Sequence, residues 1–210
     1  MDKLDLTKYE KDLNKKGYKL IAGTDEAGRG PLCGPVVAAA VIFPVGYNLE
    51  GLNDSKKLTE KKRNYYFDII KKDAISYGIG IVDAKTIDKI NILEASRLAM
   101  NISLDNLKVK PDYILTDAMK LDRDNVLPII HGDALSITIA AASVLAKVTR
   151  DNIMYELDKK YPQYGFKDHK GYPTKRHLEN INKYGILYCY RQTYKPVKEC
   201  MKEKHEKIME

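Results

Sequence analysis

The chain has 210 residues and a net charge of +7, with 44% hydrophobic and 31% charged residues. This length and composition suit one globular domain with a full hydrophobic core, and they exclude a disordered chain. The longest apolar run, residues 35–44, is far shorter than the roughly 20 residues that span a bilayer. The first residues, MDKLDLTKYEKD, lack the apolar stretch of a secretion signal. We therefore expect a cytoplasmic protein that does not bind a membrane.

The hydrophobic pattern predicts alternating strands and helices. In chain order we predict a helix at residues 3–16, strands at 18–25 and 36–43, a helix capped by Thr59 that ends near 72, and a strand at 74–82. There follow a helical region capped by Thr86 that ends near 107, strands at 112–117 and 126–131, and a long helix at about 134–159. A strand pair followed by strands that alternate with helices indicates an α/β fold around one mixed sheet.

The positive charge is concentrated near the C-terminus. Residues 167–210 contain 11 Lys and Arg against 6 Asp and Glu, and the region from 161 onward is rich in tyrosine. Such a region suits a polyanion partner such as nucleic acid, although lysine-rich helices are also common as solvated faces. No heptad pattern or apolar stripe indicates self-association, so we expect a monomer.

Four carboxylates stand where an apolar strand pattern stops: Asp25, Glu26, Asp117 and Asp133. Residues of this kind also serve as turn formers and helix caps, and Asp133 suits the N-cap of the long helix equally well. Neighbouring side chains of a regular strand point to opposite faces, so one member of the Asp25–Glu26 pair would be buried. Either the strand has already ended in an irregular turn, or a cation compensates the charge.

A divalent metal is the cation that such a cluster favours. Mg²⁺ and Mn²⁺ prefer oxygen ligands, and the chain's four histidines and three cysteines have no spacing typical of a zinc site. Two ions about 3.5–4 Å apart assist the in-line displacement of a phosphodiester. The carboxylates therefore predict two-metal phosphoryl chemistry.

A glycine-rich turn follows the first two carboxylates. Gly28 and Gly30 leave peptide groups uncovered, so that a sugar-phosphate could approach the backbone, and Arg29 between them could bind a phosphate. A tight turn that needs a positive φ is the alternative explanation. We interpret a second pair, Gly78 and Gly80 within a predicted strand, as structural.

Five segments together resemble the ribonuclease HII family: TDEAGRGPLCGPVVAAAVIF, NDSKKLTEKKR, INILEASRLAM, GDALSITIAAASVLAKVTRD and HKGYPTKRH. The resemblance covers residues 8 to about 200. It implies a ribonuclease-H-like mixed sheet flanked by helices, with a C-terminal helical segment. The implied activity is metal-dependent cleavage of RNA in a duplex with DNA.

The resemblance also implies roles for individual residues. Asp25, Glu26, Asp117 and Asp133 would be the catalytic carboxylates and metal ligands. Gly28, Arg29 and Gly30 would contact the 2′-OH and the phosphate at the cut, and Tyr172 would stack on the neighbouring deoxyribose. Lys56 and Lys147 match phosphate-facing positions, although either could be an ordinary surface lysine. Ser143 and Arg150 could support the site from the long helix.

We therefore expect an endonuclease that cuts RNA–DNA hybrids and also duplex DNA 5′ to a single embedded ribonucleotide, leaving 3′-OH and 5′-phosphate ends during replication and repair. Residues 1–160 would form the catalytic domain, and residues 161–210 a basic segment that contacts the duplex. A different ribonuclease-H-like nuclease, such as a resolvase or exonuclease, and a non-catalytic nucleic-acid-binding module remain alternatives. The related ribonuclease HIII carries a substrate-binding domain before its Asp-Glu pair, and Asp25 comes too early for that.

Two positions depart from the family pattern. Ala118 follows Asp117 where the family more often has glycine, which affects the turn. Residues 190–194, YRQTY, stand where the family commonly has a His-Arg pair and a phenylalanine. The docking of the C-terminal segment is therefore the least predictable part of the chain.

Overall fold

The computed structural model describes residues 5–201. In this part of the chain the strands are β1 (Ile21–Ala27), β2 (Val36–Ile42), β3 (Ser76–Val82), β4 (Tyr113–Asp117) and β5 (Val126–Ile129). The helices are α1 (Lys8–Lys15), α2 (Glu60–Asp73), α3 (Ala84–Asp105), α4 (Ile137–Lys160), α5 (Phe166–His169) and α6 (Lys175–Tyr184). Single 3₁₀ turns lie at Gly132–Ala134 and Pro162–Tyr164, and residues 195–201 are helical.

The strands form one mixed sheet with the order β3-β2-β1-β4-β5. The central strand β1 is antiparallel to β2 and parallel to β4, which is parallel to β5. The carboxyl ends of β1, β4 and β5 therefore meet at one edge of the sheet, where open α/β sheets place their sites. This architecture confirms the predicted α/β fold with a mixed sheet flanked by helices.

Strand β2 is buried on both faces, as its continuous apolar run predicts. One face packs against the alanines of α4, and the other packs against α3. The close packing depends on residues without large side chains. A Cβ atom at Gly23 would lie 2.3 Å from the backbone nitrogen of Ile139, and one at Gly80 would lie 2.0 Å from the carbonyl oxygen of Ala99. The structural interpretation of Gly78 and Gly80 is thus supported.

Several predicted boundaries were wrong: α1 begins at Lys8, β3 at Ser76, and β5 ends at Ile129, while residues 3–4 of the first predicted helix lie outside the described residues. Three further errors each have a local cause. Strand β1 begins at Ile21 and continues to Ala27 because its last residues pair with β2, so Glu26 lies within the strand beside Asp25 rather than after it. Asp83 caps α3 instead of Thr86, whose backbone N–H donates to the Asp83 carboxylate. Ser136 caps α4, which leaves Asp133 in the preceding 3₁₀ turn and removes the capping explanation for it. The predicted cap of α2 is confirmed: the hydroxyl of Thr59 accepts from the N–H of Lys62.

Residues 161–201 of the C-terminal segment pack beside the loop that joins β1 to β2. The buried side chains of these residues form one cluster with that loop and with α4. The members of the cluster include Leu32, Cys33, Met154, Tyr164, Phe166, Ile181, Tyr190 and Val197. The backbones also pair, since Gly34 N–H donates to the carbonyl of Cys189 and Arg191 N–H donates to that of Leu32. Across residues 5–201, no helix combines the length and the apolar character needed to cross a bilayer.

Candidate active site

Three carboxylates meet at the edge of the sheet where β1, β4 and β5 end. One oxygen each from Asp25, Asp117 and Asp133 lies within 4.8 Å of the other two. Asp25 lies on β1, Asp117 ends the neighbouring parallel strand β4, and Asp133 lies in the turn after β5. The N–H of Gly132 donates to Asp117 Oδ1 at 2.8 Å, which ties that turn to β4. The topology thus brings together residues more than 100 positions apart.

Glu26 lies beside this group but is not one of the three residues whose oxygens converge. Its side chain is only 9% exposed, and Nη1 of Arg29 lies 3.3 Å from its Oε1. The other oxygen, Oε2, is buried and has no hydrogen-bond partner in the described part of the chain. A buried carboxylate oxygen without a donor is unfavourable, so it favours a cation at this place.

The electrostatics of the cluster also fit a divalent cation. Burial raises the pKa of Asp25 well above its usual value, and the neighbouring charges of Glu26 and Asp117 raise it further. Burial and the charge of Asp117 likewise raise the pKa of Asp133, although Lys56 opposes the shift. Because every donor here is a carboxylate oxygen, the residues suit a hard ion such as Mg²⁺ or Mn²⁺ and not a zinc site.

The predicted substrate-binding residues line the same cleft as the carboxylates. The cleft has a volume of about 320 Å³ and is lined by Asp25, Glu26, Asp117, Gly28, Arg29, Gly30, Lys56, Lys147, Tyr172 and their neighbours Ala27, Ser55, Ser143 and Arg150. Asp133 adjoins it through Lys56, whose Nζ is 3.4 Å from Asp133 Oδ2. The structure therefore brings every predicted site residue to one place.

In the turn at residues 28–30, hereafter the GRG turn, the surroundings require a glycine at position 28. Gly28 has φ +98°, and a Cβ atom there would lie 2.1 Å from Nε of Arg150. Arg150 is itself buried and donates to the carbonyls of Pro35, Cys33 and Lys170. A Cβ atom at Gly30 would be 3.4 Å from the ring of Tyr172. The turn is thus packed between a buried arginine and the aromatic side chain across the cleft.

The two cleft lysines are each held by a carboxylate. Lys147 Nζ donates to Asp151 at 2.7 Å, and burial lowers the pKa of this lysine. Lys56 is 77% exposed and reaches Asp133. Between them, the hydroxyls of Ser55 and Ser143 are hydrogen-bonded at 2.8 Å. Both ammonium groups therefore lie at the wall of the cleft, where they can meet an anionic substrate.

Tyr172 is 44% exposed, but its backbone is fixed by buried histidines that the sequence did not single out. His177 donates through Nδ1 to the carbonyl of Tyr172 at 2.8 Å and accepts at Nε2 from the hydroxyl of Tyr190. The ring of His169 stacks on that of His177 at 4.1 Å. Because the carbonyl of Tyr172 can only accept, Nδ1 carries a proton, and burial favours the neutral ring, in which Nε2 accepts from Tyr190.

This arrangement predicts a loss of stability in acid. Burial lowers the pKa of His177 to about 4, below the ordinary value of 6.5. A lowered folded-state pKa gives stability that is complete above about pH 6.5 and is lost as the pH falls through about 4. We expect the free energy of unfolding to fall by up to about 2–3 kcal/mol over this window, and the unfolding temperature to fall with it. Thermal denaturation of the protein and of His177→Gln from pH 7.5 to 4 measures it. A slope that His177→Gln leaves unchanged would contradict the assignment.

Ala118 explains why a glycine suits the position after Asp117. Its φ is +53°, a left-handed conformation that alanine adopts less readily than glycine. Its N–H donates to the carbonyl of Ile129 at 2.9 Å, which continues the β4–β5 pairing into the turn. The departure from the family pattern thus changes the ease of forming the turn and leaves the carboxylate in place.

Comparison with known proteins gives the family. The ribonuclease HII family model matches residues 22–197. The chain is 54% identical to ribonuclease HII of Acholeplasma laidlawii over 200 residues, which are 95% of this chain and 99% of that protein. It is 58% identical to ribonuclease HII of Acetivibrio thermocellus over 193 residues, covering 91% of this chain and 75% of that protein. The crystal structure of ribonuclease H2 from Pyrococcus horikoshii superposes with a TM-score of 0.76 at 29% identity, covering 89% of this chain and 99% of that one. With this fold and this carboxylate-lined cleft, the chain belongs to the ribonuclease HII family of metal-dependent endonucleases.

Proposed function

We propose that the protein cleaves the RNA strand of RNA–DNA hybrids and also cuts duplex DNA 5′ to a single embedded ribonucleotide, leaving 3′-OH and 5′-phosphate ends. The observation that carries the proposal is the position of the GRG turn and Tyr172 in the same cleft as three converging carboxylates. Such a cleft places groups that can test a sugar beside groups that can hold ions at its phosphate. This activity suits the removal of ribonucleotides from DNA during replication and repair.

The carboxylates would hold the catalytic ions. Asp25, Asp117 and Asp133 supply oxygens within 4.8 Å of one another, and Glu26 supplies a buried oxygen without a donor. Two Mg²⁺ or Mn²⁺ ions bound there would stabilise the attacking and leaving oxygens of an in-line displacement. Asp25 lies on the central strand β1, and with Asp117 and Asp133 it would hold these ions.

The other cleft residues would bind and orient the strand to be cut. The 2′-OH is the group that distinguishes RNA from DNA at one position, and the GRG turn offers peptide groups at short range to test it. The half-exposed ring of Tyr172 would stack on the deoxyribose next to the ribonucleotide. Arg29, Lys56 and Lys147 would contact phosphates as point charges or bidentate donors.

The basic C-terminal segment would bind the phosphates of the duplex outside the cleft. Contacts from lysines and arginines to phosphates release counterions, so affinity should fall as salt rises. Tyr172 belongs to this segment and also lines the cleft. The segment would therefore link residues that position the duplex to a residue that contacts the sugar.

A panel of four substrates tests the function. The protein with Mg²⁺ would be offered an RNA–DNA hybrid, a duplex with one ribonucleotide, the matched all-DNA duplex and a Holliday junction. We expect cleavage of the first two, with ends that a ligase or polymerase accepts as 3′-OH. Cleavage of the all-DNA duplex or the junction would support a general nuclease or a resolvase. Binding without cleavage of any of them would support a non-catalytic module.

A further inference from the structure

Arg191 is buried, yet it belongs to neither of the predicted groups of site residues. Its side chain is 0% exposed, and it forms no salt bridge with a carboxylate in the described part of the chain. Burial lowers the pKa of this guanidinium. A buried charge without a counter-ion is costly unless all its donors are satisfied. The bonds that satisfy Arg191 therefore indicate what it does.

All five N–H groups of Arg191 are directed at the GRG turn and its surroundings. Nη2 donates to the carbonyl of Gly28 at 2.6 Å and Nη1 to that of Arg29 at 2.9 Å. Nε and Nη2 both donate to the carbonyl of Gly34. Nη1 also donates to the hydroxyl of Tyr194 at 3.0 Å, and this hydroxyl in turn donates to the carbonyl of Arg29 at 2.7 Å.

These bonds fix the direction of two amide groups. In a trans peptide the N–H of a residue points opposite to the carbonyl of the residue before it. With the carbonyls of Gly28 and Arg29 held on the buried side by Arg191, the N–H groups of Arg29 and Gly30 point away from Arg191. Both residues line the cleft, and neither N–H donates to an acceptor within residues 5–201. Successive uncovered N–H groups of this kind bind anionic or strongly accepting oxygens.

We propose that Arg191, with the hydroxyl of Tyr194, is a positioning residue that holds the N–H groups of Arg29 and Gly30 toward a sugar-phosphate oxygen of the ribonucleotide to be cut. This inference rests on the proposed function. The backbone between these two side chains is also fixed, because the N–H groups of Gln192 and Thr193 donate to the carboxylate of Asp88 on α3. The C-terminal segment thus acts on the cleft through the backbone of the GRG turn, without contacting the substrate at these residues.

The mildest test is Tyr194→Phe, which removes one hydroxyl and keeps the ring. The matched control is Tyr164→Phe, which also removes a hydroxyl that donates to a carbonyl, that of Gly185, in the same C-terminal segment but away from the cleft. We expect Tyr194→Phe to lower kcat/KM on a duplex with one ribonucleotide about three- to tenfold, as the loss of one net hydrogen bond implies. The unfolding midpoints of the two variants should change equally, and Tyr164→Phe should keep full activity.

The stronger test is Arg191→Lys, with Arg123→Lys as the control. Arg123 also donates to a backbone carbonyl, that of Asn101, at a distance from the cleft. Each change would be made in an inactive Asp117→Asn protein, and the Kd would be measured for the duplex with one ribonucleotide and for the all-DNA duplex. The preference for the ribonucleotide is the Kd of the all-DNA duplex divided by the Kd of the duplex with one ribonucleotide. We expect Arg191→Lys to reduce this ratio about tenfold, and Arg123→Lys to leave the ratio unchanged. The ratio does not depend on the fraction of folded protein, so a purely structural role would not move it.

The outcomes separate this inference from the proposed function. If the parent protein does not prefer the ribonucleotide-containing duplex and does not cleave it, the proposed function fails. If the parent protein does both, but Tyr194→Phe keeps full kcat/KM, the positioning role is wrong. An unchanged Kd ratio in Arg191→Lys also overturns it, and Tyr194→Phe decides the matter if Arg191→Lys does not fold.

Discussion

Replacing Asp117 by Asn should reduce cleavage of a duplex with one ribonucleotide to background, while the protein stays folded. Loss of a group that stabilises developing charge typically lowers rate by about 10²–10³-fold, and loss of an ion ligand should equal or exceed that. The fold should survive because Asn Oδ1 can still accept the hydrogen bond that the N–H of Gly132 donates to Asp117 Oδ1. Steady-state cleavage with Mg²⁺ measures the activity, and circular dichroism measures the fold.

Thermal denaturation adds a readout that does not depend on activity. The negative charge of Asp117 raises the pKa of Asp25, Glu26 and Asp133, so removing it relieves repulsion in the metal-free protein. In EDTA we expect Asp117→Asn to unfold at the same temperature as the parent or higher. An ion at 100 times its Kd stabilises the folded state by about 2.7 kcal/mol, and this gain should be lost in the variant.

Asp112→Asn is the matched control. Asp112 stands directly before the same strand, at the opposite end from the cleft, and its carboxylate accepts from the N–H groups of Lys19 and Leu20. It should keep full activity and a full stabilisation by Mg²⁺. Retained activity in Asp117→Asn would remove Asp117 from the site.

Replacing Tyr172 by Ala should impair cleavage at a single ribonucleotide more than cleavage of a long hybrid. Stacking of an aromatic side chain on nucleic acid contributes about 1–3 kcal/mol, which corresponds to about 5- to 150-fold in kcat/KM. A single ribonucleotide offers one RNA-to-DNA junction for the ring to select, whereas a hybrid offers many equivalent RNA positions. Steady-state kinetics on the two substrates measures the difference.

Two further variants interpret the result. Tyr172→Phe keeps the ring and should keep most of the selectivity. Tyr184→Ala removes a ring of nearly equal exposure, 43% against 44%, from the same segment but outside the lining of the cleft. It should affect both substrates little. An equal loss of kcat/KM on both substrates in Tyr172→Ala would show that the ring supports the folded structure and does not select the junction.

The sheet and the carboxylate cluster were predictable because they follow from local patterns and topology. Apolar runs located the strands, and parallel neighbours place their ends together. The exact end of β1 was not predictable, since Glu26 and Ala27 remain in the strand by pairing with Ala38 and Val37 of β2. Asp83 and Thr86 are both good caps, and local sequence does not choose between them.

The support beneath the cleft was the least predictable part. Arg191 and His177 act through bonds to backbone carbonyls of the GRG turn and of Tyr172, and a carbonyl acceptor leaves no trace in residue type. Arg191 lies in residues 190–194, which depart from the family pattern. This departure indicated that the docking of the C-terminal segment was hard to predict, but it did not indicate that Arg191 contacts the GRG turn. By contrast, the sequence did not decide whether Lys56 and Lys147 lie in the cleft or elsewhere on the surface. Both line the cleft.

The bonds between Arg191 and the GRG turn join residues 162 and 163 positions apart. Contacts of such high sequence separation form late, because a long loop must close before they contribute. During synthesis, the sheet and its acidic cluster can therefore emerge from the ribosome and fold while the turn is still unsupported. A nascent chain surrounded by ribosomal and messenger RNA would then hold an incomplete cleft until Arg191 has left the ribosome.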